Sequence, residues 1–333
     1  MAGAKDTQRR KPGIRQRLLN WTGRVFFNGA QRFSRRSLLR FASWIAKVFY
    51  NLSNKHRGLI KTHLAKAFPD SYSESELSRL ALKNLDVLAR SMVDFVKSRS
   101  MTRDELMSLY SVVCDPSHLQ QAKETSKNGI IGLTGHFGNW ELSAHWVSQN
   151  GFPLTAVGRD QSDEALNEQI VAIREKWGTD NVARSRFANK ALISALKQGR
   201  MLGLLSDQNA GKNGLFVPFF GDWASTFRGP AIFALKFDCP VIPIFNVRQD
   251  DDSYKLIIGP RLELIRDDDK EYEIWATTYR MQRYIEALLT KYPEQWMWLH
   301  KRWKSRPDQE AVETGERFLK RYEAEVRDEF IIP

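Results

Sequence analysis

Polar and apolar positions fall in blocks along this chain, and the period of the blocks alternates between helical and strand-like. From Arg36 to Asn51 the polar residues Arg36, Arg40, Ser43, Lys47 and Asn51 recur at steps of four, three, four and four, one narrow helical stripe. The other faces carry Leu38, Leu39, Phe41, Trp44, Ile45, Val48, Phe49, Tyr50 and Leu52. A helix with one basic stripe and a broad aromatic-rich surface suits the membrane interface; packing against a core is the alternative. Ser73-x-x-Glu76 predicts a capping box that opens a helix towards Ser98, with Leu77, Leu80, Leu85, Leu88, Met92, Phe95 and Val96 on a buried face.

Beyond Tyr110 strands and helices take turns. Tyr110–Cys114, Gly129–Thr134, Phe152–Val157, Met201–Ser206, Cys239–Val247 and Tyr254–Ile258 read as strands. Helices are expected near Ser117–Lys127, Trp140–Gln149, Leu166–Trp177, Lys190–Gln198, Pro230–Lys236, Glu271–Lys291 and Glu310–Asp328. This alternation predicts an α/β fold, a largely parallel or mixed sheet flanked by helices, preceded by a basic amphipathic membrane-associated segment. The expected division is 1–52 as anchor and 53–333 as catalytic body.

Charge sharpens that division. The net charge is +12, yet residues 1–66 hold 16 Lys or Arg and a single acid, Asp6, so the remainder is slightly acidic. A basic segment can meet nucleic acid, anionic lipid or an acidic protein. A nucleic-acid binder would carry basic and aromatic residues through its folded body, and this body does not; the aromatic-rich helix favours lipid. A spanning helix is disfavoured, because Arg40 and Lys47 would each cost ~2.5–3.5 kcal/mol near the bilayer centre. No secretory signal follows the basic N-terminus, and the two cysteines, Cys114 and Cys239, suit a reducing compartment.

Candidate chemistry concentrates in Gly135-His136-Phe137-Gly138-Asn139-Trp140-Glu141. On one continuous helix His136 and Glu141 would point ~140° apart. With His136 on a turn and Glu141 in the following first helical turn they can meet, and the carboxylate can then fix the imidazole tautomer. Such a dyad contains no protein nucleophile, which suits direct attack of a substrate hydroxyl on an activated acyl carbonyl. A surface histidine beside a helix-start acid is the plainer alternative. His145 lies four residues beyond Glu141, but this is not the His-Glu-x-x-His metal pattern. His136, Arg159 and Asp207 each follow a predicted strand, where sites form in open α/β sheets.

The same heptapeptide resembles the His-x4-acid motif of the bacterial lipid A biosynthesis acyltransferases, the lauroyl and myristoyl transferase group of the lysophospholipid acyltransferase-like superfamily. Asp207-Gln208 with Phe216-Val217-Pro218-Phe219-Phe220-Gly221, then Thr226 to Pro243, then Tyr292 to Lys304, are similar to that family's later blocks. The likeness spans roughly residues 50–306 in order. It implies an enzyme on the cytoplasmic face of the inner membrane, peripheral, monotopic or held by one N-terminal anchor. The donor would be an acyl carrier protein thioester, the acceptor a hydroxyl of a lipid A precursor, with neither metal nor other cofactor. His136 would act as general base and Glu141 as its orienting partner. Arg159 would serve a substrate phosphate or the oxyanion, and Arg228 a phosphate. Asp207, grouped with these substrate-binding residues, would organise the site from behind or stand as a buried structural carboxylate. Phe219-Phe220 and Trp296 with Trp298 would line an acyl tunnel or fill the core. Related enzymes acylate other glycolipids and lysolipids, and the shared blocks do not separate acceptors. A catalytically idle membrane-binding protein is the non-enzymatic alternative, disfavoured because both members of the dyad are present.

Overall fold

The computed structural model describes residues 14–158, 163–183 and 188–333. Four helices come first: α1 (Ile14–Gly29), α2 (Arg35–Leu52), α3 (Asn54–Ala67) and α4 (Glu74–Ser98). The short α5 (Arg103–Met107) leads into β1 (Tyr110–Cys114), α6 (Ser117–Thr125), β2 (Ile130–Thr134), α7 (Trp140–Gln149), β3 (Leu154–Gly158) and α8 (Glu164–Lys176). Next come β4 (Thr179–Ala183), α9 (Ala188–Lys197), β5 (Met201–Leu205), the hairpin of β6 (Leu215–Phe219) and β7 (Asp222–Thr226), and α10 (Gly229–Phe237). β8 (Val241–Arg248), β9 (Tyr254–Ile258), α11 (Lys270–Lys291) and α12 (Gln309–Glu325) complete the chain.

Seven strands form one sheet in the order β1-β9-β8-β2-β5-β3-β4. Every neighbouring pair is parallel except β8–β9. The largely parallel α/β architecture expected from the sequence is therefore observed. Central strands must be buried on both faces, because helices cover each side; all eight residues of β8 are buried. Alternation sorts the side chains. Ile130, Met201, Leu154 and Ile244 pack with Leu119 of α6 and Val147 of α7, whereas Ile131, Leu133, Leu202 and Leu204 pack with α9, α10 and α11.

The capping box at Ser73 and Glu76 is present, with Ser73 Oγ accepting from Glu76 N at 3.3 Å and Glu76 Oε2 from Ser73 N at 2.8 Å. Such a cap contributes ~1 kcal/mol to the start of α4. The apolar surface of α2 divides into two faces. Leu38, Leu39, Ala42 and Ala46 are buried, in part against Val93 and Val96 of α4. Phe41, Trp44, Ile45 and Phe49 remain exposed, with the Phe41 and Trp44 rings stacked at 5.7 Å. Leu39 thus belongs to the core and not to the outward face. Arg35 at the first turn of α2 is bound to Asp94 of α4 at 2.6 Å, so α2 is built into the body. Among the described residues no helix is long and apolar enough to cross a membrane.

Candidate active site

Register brings the two central polar groups together. Thr134 of β2 pairs with Leu205 of β5 where both strands end, and His136 and Asp207 each follow two residues later. The His136 ring Nδ1 donates to Asp207 Oδ1 at 3.0 Å, and the His136 backbone N–H donates to Oδ2 at 2.7 Å. The Trp296 indole donates to the same Oδ2 at 2.7 Å. Asp207 is fully buried, while the His136 side chain is 22% exposed.

Charge follows from that geometry. Burial alone would raise the Asp207 carboxyl, but the His136 charge and three hydrogen bonds hold it below its ordinary value, so it is an acceptor. An ionised acceptor at Nδ1 keeps the imidazole proton there and leaves Nε2 with a free lone pair. Burial would likewise lower the His136 pKa; Asp207, and then Glu141, outweigh it and raise the value. The carboxylate bonded to the imidazole is therefore Asp207 and not Glu141, because Glu141 is gripped elsewhere. Arg174 of α8 clamps Glu141 with two bonds of 2.6 and 2.9 Å, and Trp140 Nε1 adds a third at 3.2 Å. The Arg174 charge outweighs burial and holds the Glu141 carboxyl below its ordinary value.

The turn between them has little freedom. Gly138 has φ +53, and a Cβ there would lie 1.6 Å from the Asn246 carbonyl oxygen, so no side chain fits. At Gly135 a Cβ would lie 3.0 Å from the Asp207 carboxylate. The turn is also zipped to the C-terminal block: Gly138 N donates to Gln295 O at 2.8 Å and Met297 N to His136 O at 3.0 Å.

His136 and Glu141 both line a cavity of about 800 Å³. Its floor under α7 is opened by Gly132 and Gly203, register partners on β2 and β5 that present no side chain. Val147, Leu154 and Met201 wall that region, and Leu88 and Met92 of α4 line another side. The volume falls in the range of small-molecule sites, ~300–1,000 Å³.

The remaining expectations fare unevenly. Arg228 is exposed and sits between cavity-lining Phe227 and Gly229; among the described residues no carboxylate engages it. Asp207 is buried and does not line the cavity, so it is out of reach of a molecule bound there. Arg159 lies outside the described residues. Phe219, Trp296 and Trp298 are core rather than tunnel, since all are buried in the main cluster and none lines the cavity. His145 is buried, with its ring stacked on Trp177 at 5.6 Å. Arg174 was not legible from the sequence, being one polar position on an amphipathic helix; Trp296 stood in a recognised block as a tunnel or core residue, and its bond to Asp207 was not foreseen.

Residues 5–305 match the family described as bacterial lipid A biosynthesis acyltransferase. The phosphatidylinositol mannoside acyltransferase of Mycolicibacterium smegmatis is 25% identical over 194 residues, 57% of this chain and 62% of that protein, under two thirds of its length. The lipid A biosynthesis lauroyltransferase of Escherichia coli is 24% identical over 278 residues, 81% of this chain and 86% of that protein. A lipid A biosynthesis acyltransferase of Haemophilus influenzae is 26% identical over 270 residues, 78% and 79% of the two chains. With its His-x4-Glu turn opening onto an apolar cavity and nearly its whole length matched, this chain belongs to the bacterial lipid A biosynthesis acyltransferase family.

Proposed function

We propose that the protein transfers a fatty acyl chain from an acyl carrier protein thioester to a hydroxyl of a lipid A precursor. The observation that carries this reading is His136, tied at Nδ1 to a buried carboxylate and set in the wall of a largely apolar cavity of about 800 Å³. His136 Nε2 takes the proton from the acceptor hydroxyl as its oxygen attacks the thioester carbonyl. The C–S bond breaks as the ester forms, and the imidazolium returns the proton to the departing thiolate. Asp207 holds the tautomer and stabilises the imidazolium. Glu141, held by Arg174, adds negative charge that favours the same cation. Arg228, beside the cavity and engaged by no carboxylate among the described residues, suits an acceptor phosphate, and Arg159 is proposed for phosphate or oxyanion. The test is incubation of pure protein with acyl carrier protein thioester and lipid A precursor, followed by mass spectrometry of the lipid. No acylated lipid with any thioester length would sink the reading.

The mycobacterial relative favours a second reading, in which the acceptor is a different membrane glycolipid. Offering both acceptors in one assay separates the two by which lipid gains mass.

Glu141→Gln is expected to slow transfer without abolishing it. The amide keeps the shape but removes the charge, at about tenfold per pKa unit of lost imidazolium support. Steady-state rates beside His136→Ala check this, and wild-type turnover would reduce Glu141 to a partner for Arg174.

The outward face of α2 and the basic N-terminal segment are proposed to hold the protein on the anionic cytoplasmic leaflet of the inner membrane. Each Lys or Arg near that surface contributes ~1 kcal/mol, which salt screens, while apolar burial at ~25 cal/mol per Å² does not fade with salt. Phe41, Trp44, Ile45 and Phe49 changed together to Ser should therefore make binding salt-labile, with Leu39 left in place. Flotation with anionic liposomes across a salt series reads this out. Equal flotation of variant and wild type at high salt would place the contact elsewhere.

A further inference from the structure

The turn that carries His136 and Glu141 is held from behind by a buried chain of hydrogen bonds that ends on α2. Asn139 lies inside the turn and is 2% exposed. Its Oδ1 caps α7 by accepting from Leu142 N at 3.2 Å. Its Nδ2 donates to Ser91 O at 3.0 Å and to the Tyr254 hydroxyl oxygen at 3.1 Å. The Tyr254 hydroxyl in turn donates to Asp94 Oδ2 at 2.6 Å. Asp94 accepts from Arg35 Nε at 2.6 Å and Nη2 at 3.0 Å, and Arg248 contacts both Asp94 and the Tyr254 oxygen. Tyr254 and Asp94 are fully buried.

The order of these groups gives the chain a direction. An ionised carboxylate between two guanidiniums accepts the hydrogen bond of the phenol O–H, so the phenol oxygen presents its lone pairs to Asn139. Together with the Ser91 carbonyl, that fixes which end of the Asn139 amide faces Tyr254 and which caps α7. The first turn of α7 carries Glu141, and Asn246 Nδ2 holds the Asn139 carbonyl at 3.1 Å. Among the described residues no other group bonds both Asp94 and Asn139. Without the hydroxyl the Asn139 amide keeps only the Ser91 carbonyl on its Nδ2 side, so the cap of α7 and the rear support of the His136–Glu141 turn are held less firmly.

We propose that Tyr254 is a positioning residue for acyl transfer, and that through Asp94 and Arg35 the geometry of the His136–Glu141 turn depends on the seating of α2. The inference rests on His136 being the base of the reaction proposed above. It makes α2 a structural partner of the site as well as an outward face.

The test uses the full-length protein with acyl carrier protein thioester and lipid acceptor. Tyr254→Phe removes one oxygen and keeps the ring. Its kcat per folded molecule should fall by on the order of tenfold to a hundredfold, the scale of a small misplacement of reacting groups. KM for the thioester should stay within about twofold. Arg35→Gln, at the partly exposed end of the chain, should lower kcat in the same direction, and it carries the test if Tyr254→Phe does not fold. The double variant should lose little beyond the larger single loss, since both cut one chain. Arg321→Gln, which breaks a 2.9 Å ion pair to Glu325 on α12 and touches no member of the chain, should keep wild-type kcat. Circular dichroism and thermal melts fix the folded fraction. Wild-type kcat in folded Tyr254→Phe, a rise in KM alone, or fully multiplicative losses in the double variant would overturn the proposal. No transfer by the wild-type protein would instead overturn the functional reading on which it rests.

Discussion

His136→Ala should lower kcat/KM by roughly 10²–10⁴-fold, the usual worth of a positioned general base, in a protein that still folds. The side chain contributes one bond, to Asp207 Oδ1. The backbone contacts that set the turn survive in alanine: the His136 N–H still reaches Asp207, and the His136 carbonyl still accepts from Met297. Asp207 also keeps the Trp296 indole. The rate should therefore collapse while the melting temperature moves little. Single-turnover measurement of thioester consumption and lipid acylation, with a thermal melt of the same sample, decides the matter. A folded variant with near-wild-type transfer would show that the base is some other group.

Asp207→Asn should cost nearly as much, and it should also move the pH profile. In the native site Oδ2 accepts from the His136 backbone and Trp296, and Oδ1 from the ring. An asparagine that keeps the first pair of bonds must present its NH₂ where Oδ1 was. Nδ1 then becomes the acceptor and the ring proton moves to Nε2, the position that should receive the hydroxyl proton. A wrong tautomer of this kind costs up to ~10⁴ in the serine protease triad. The pH effect has a definite sign. With His136 as the proposed base, transfer needs the neutral imidazole, so kcat/KM should rise as pH passes upward through the His136 pKa, which Asp207 and Glu141 hold above the ordinary histidine value. Removing the Asp207 charge destabilises the imidazolium and lowers that pKa, so the acid limb should shift to lower pH under a much reduced plateau. A reduced plateau with an unshifted limb would mean that Asp207 only shapes the turn.

What was readable in the sequence tracks the range of the forces involved. Local periodicity located the central strands and α4, α7 and α11, because capping and burial are decided by near neighbours. The polar edge strand β4 (Thr179–Ala183) escaped, since only Thr179 is buried and no apolar run marks it. Helix α3 was missed as well, its apolar positions Ile60 and Leu64 being sparse among basic residues. At the site the motif pointed to His136 and Glu141 as partners, and the imidazole bonds Asp207 instead. Proximity along the chain suggested Glu141 as the imidazole's partner, whereas the pairing is set by the β2–β5 register across 71 residues. Arg174, which takes Glu141 instead, lies 33 residues away. Long-range pairing of this kind leaves no local trace.

The pairing of residues 136–138 with residues 295–297 has a consequence for how the protein comes into being. A turn early in the catalytic body is completed by a segment translated near the end, and the Trp296 indole that shares Asp207 arrives with it. Contacts so distant in sequence close late, because loop entropy must be overcome before they return any stabilisation. Helix α2 emerges from the ribosome long before that segment, with Phe41, Trp44, Ile45 and Phe49 already set on its outward face. On the proposed reading, a nascent chain would meet lipid well before the segment that completes its His136 turn has been made.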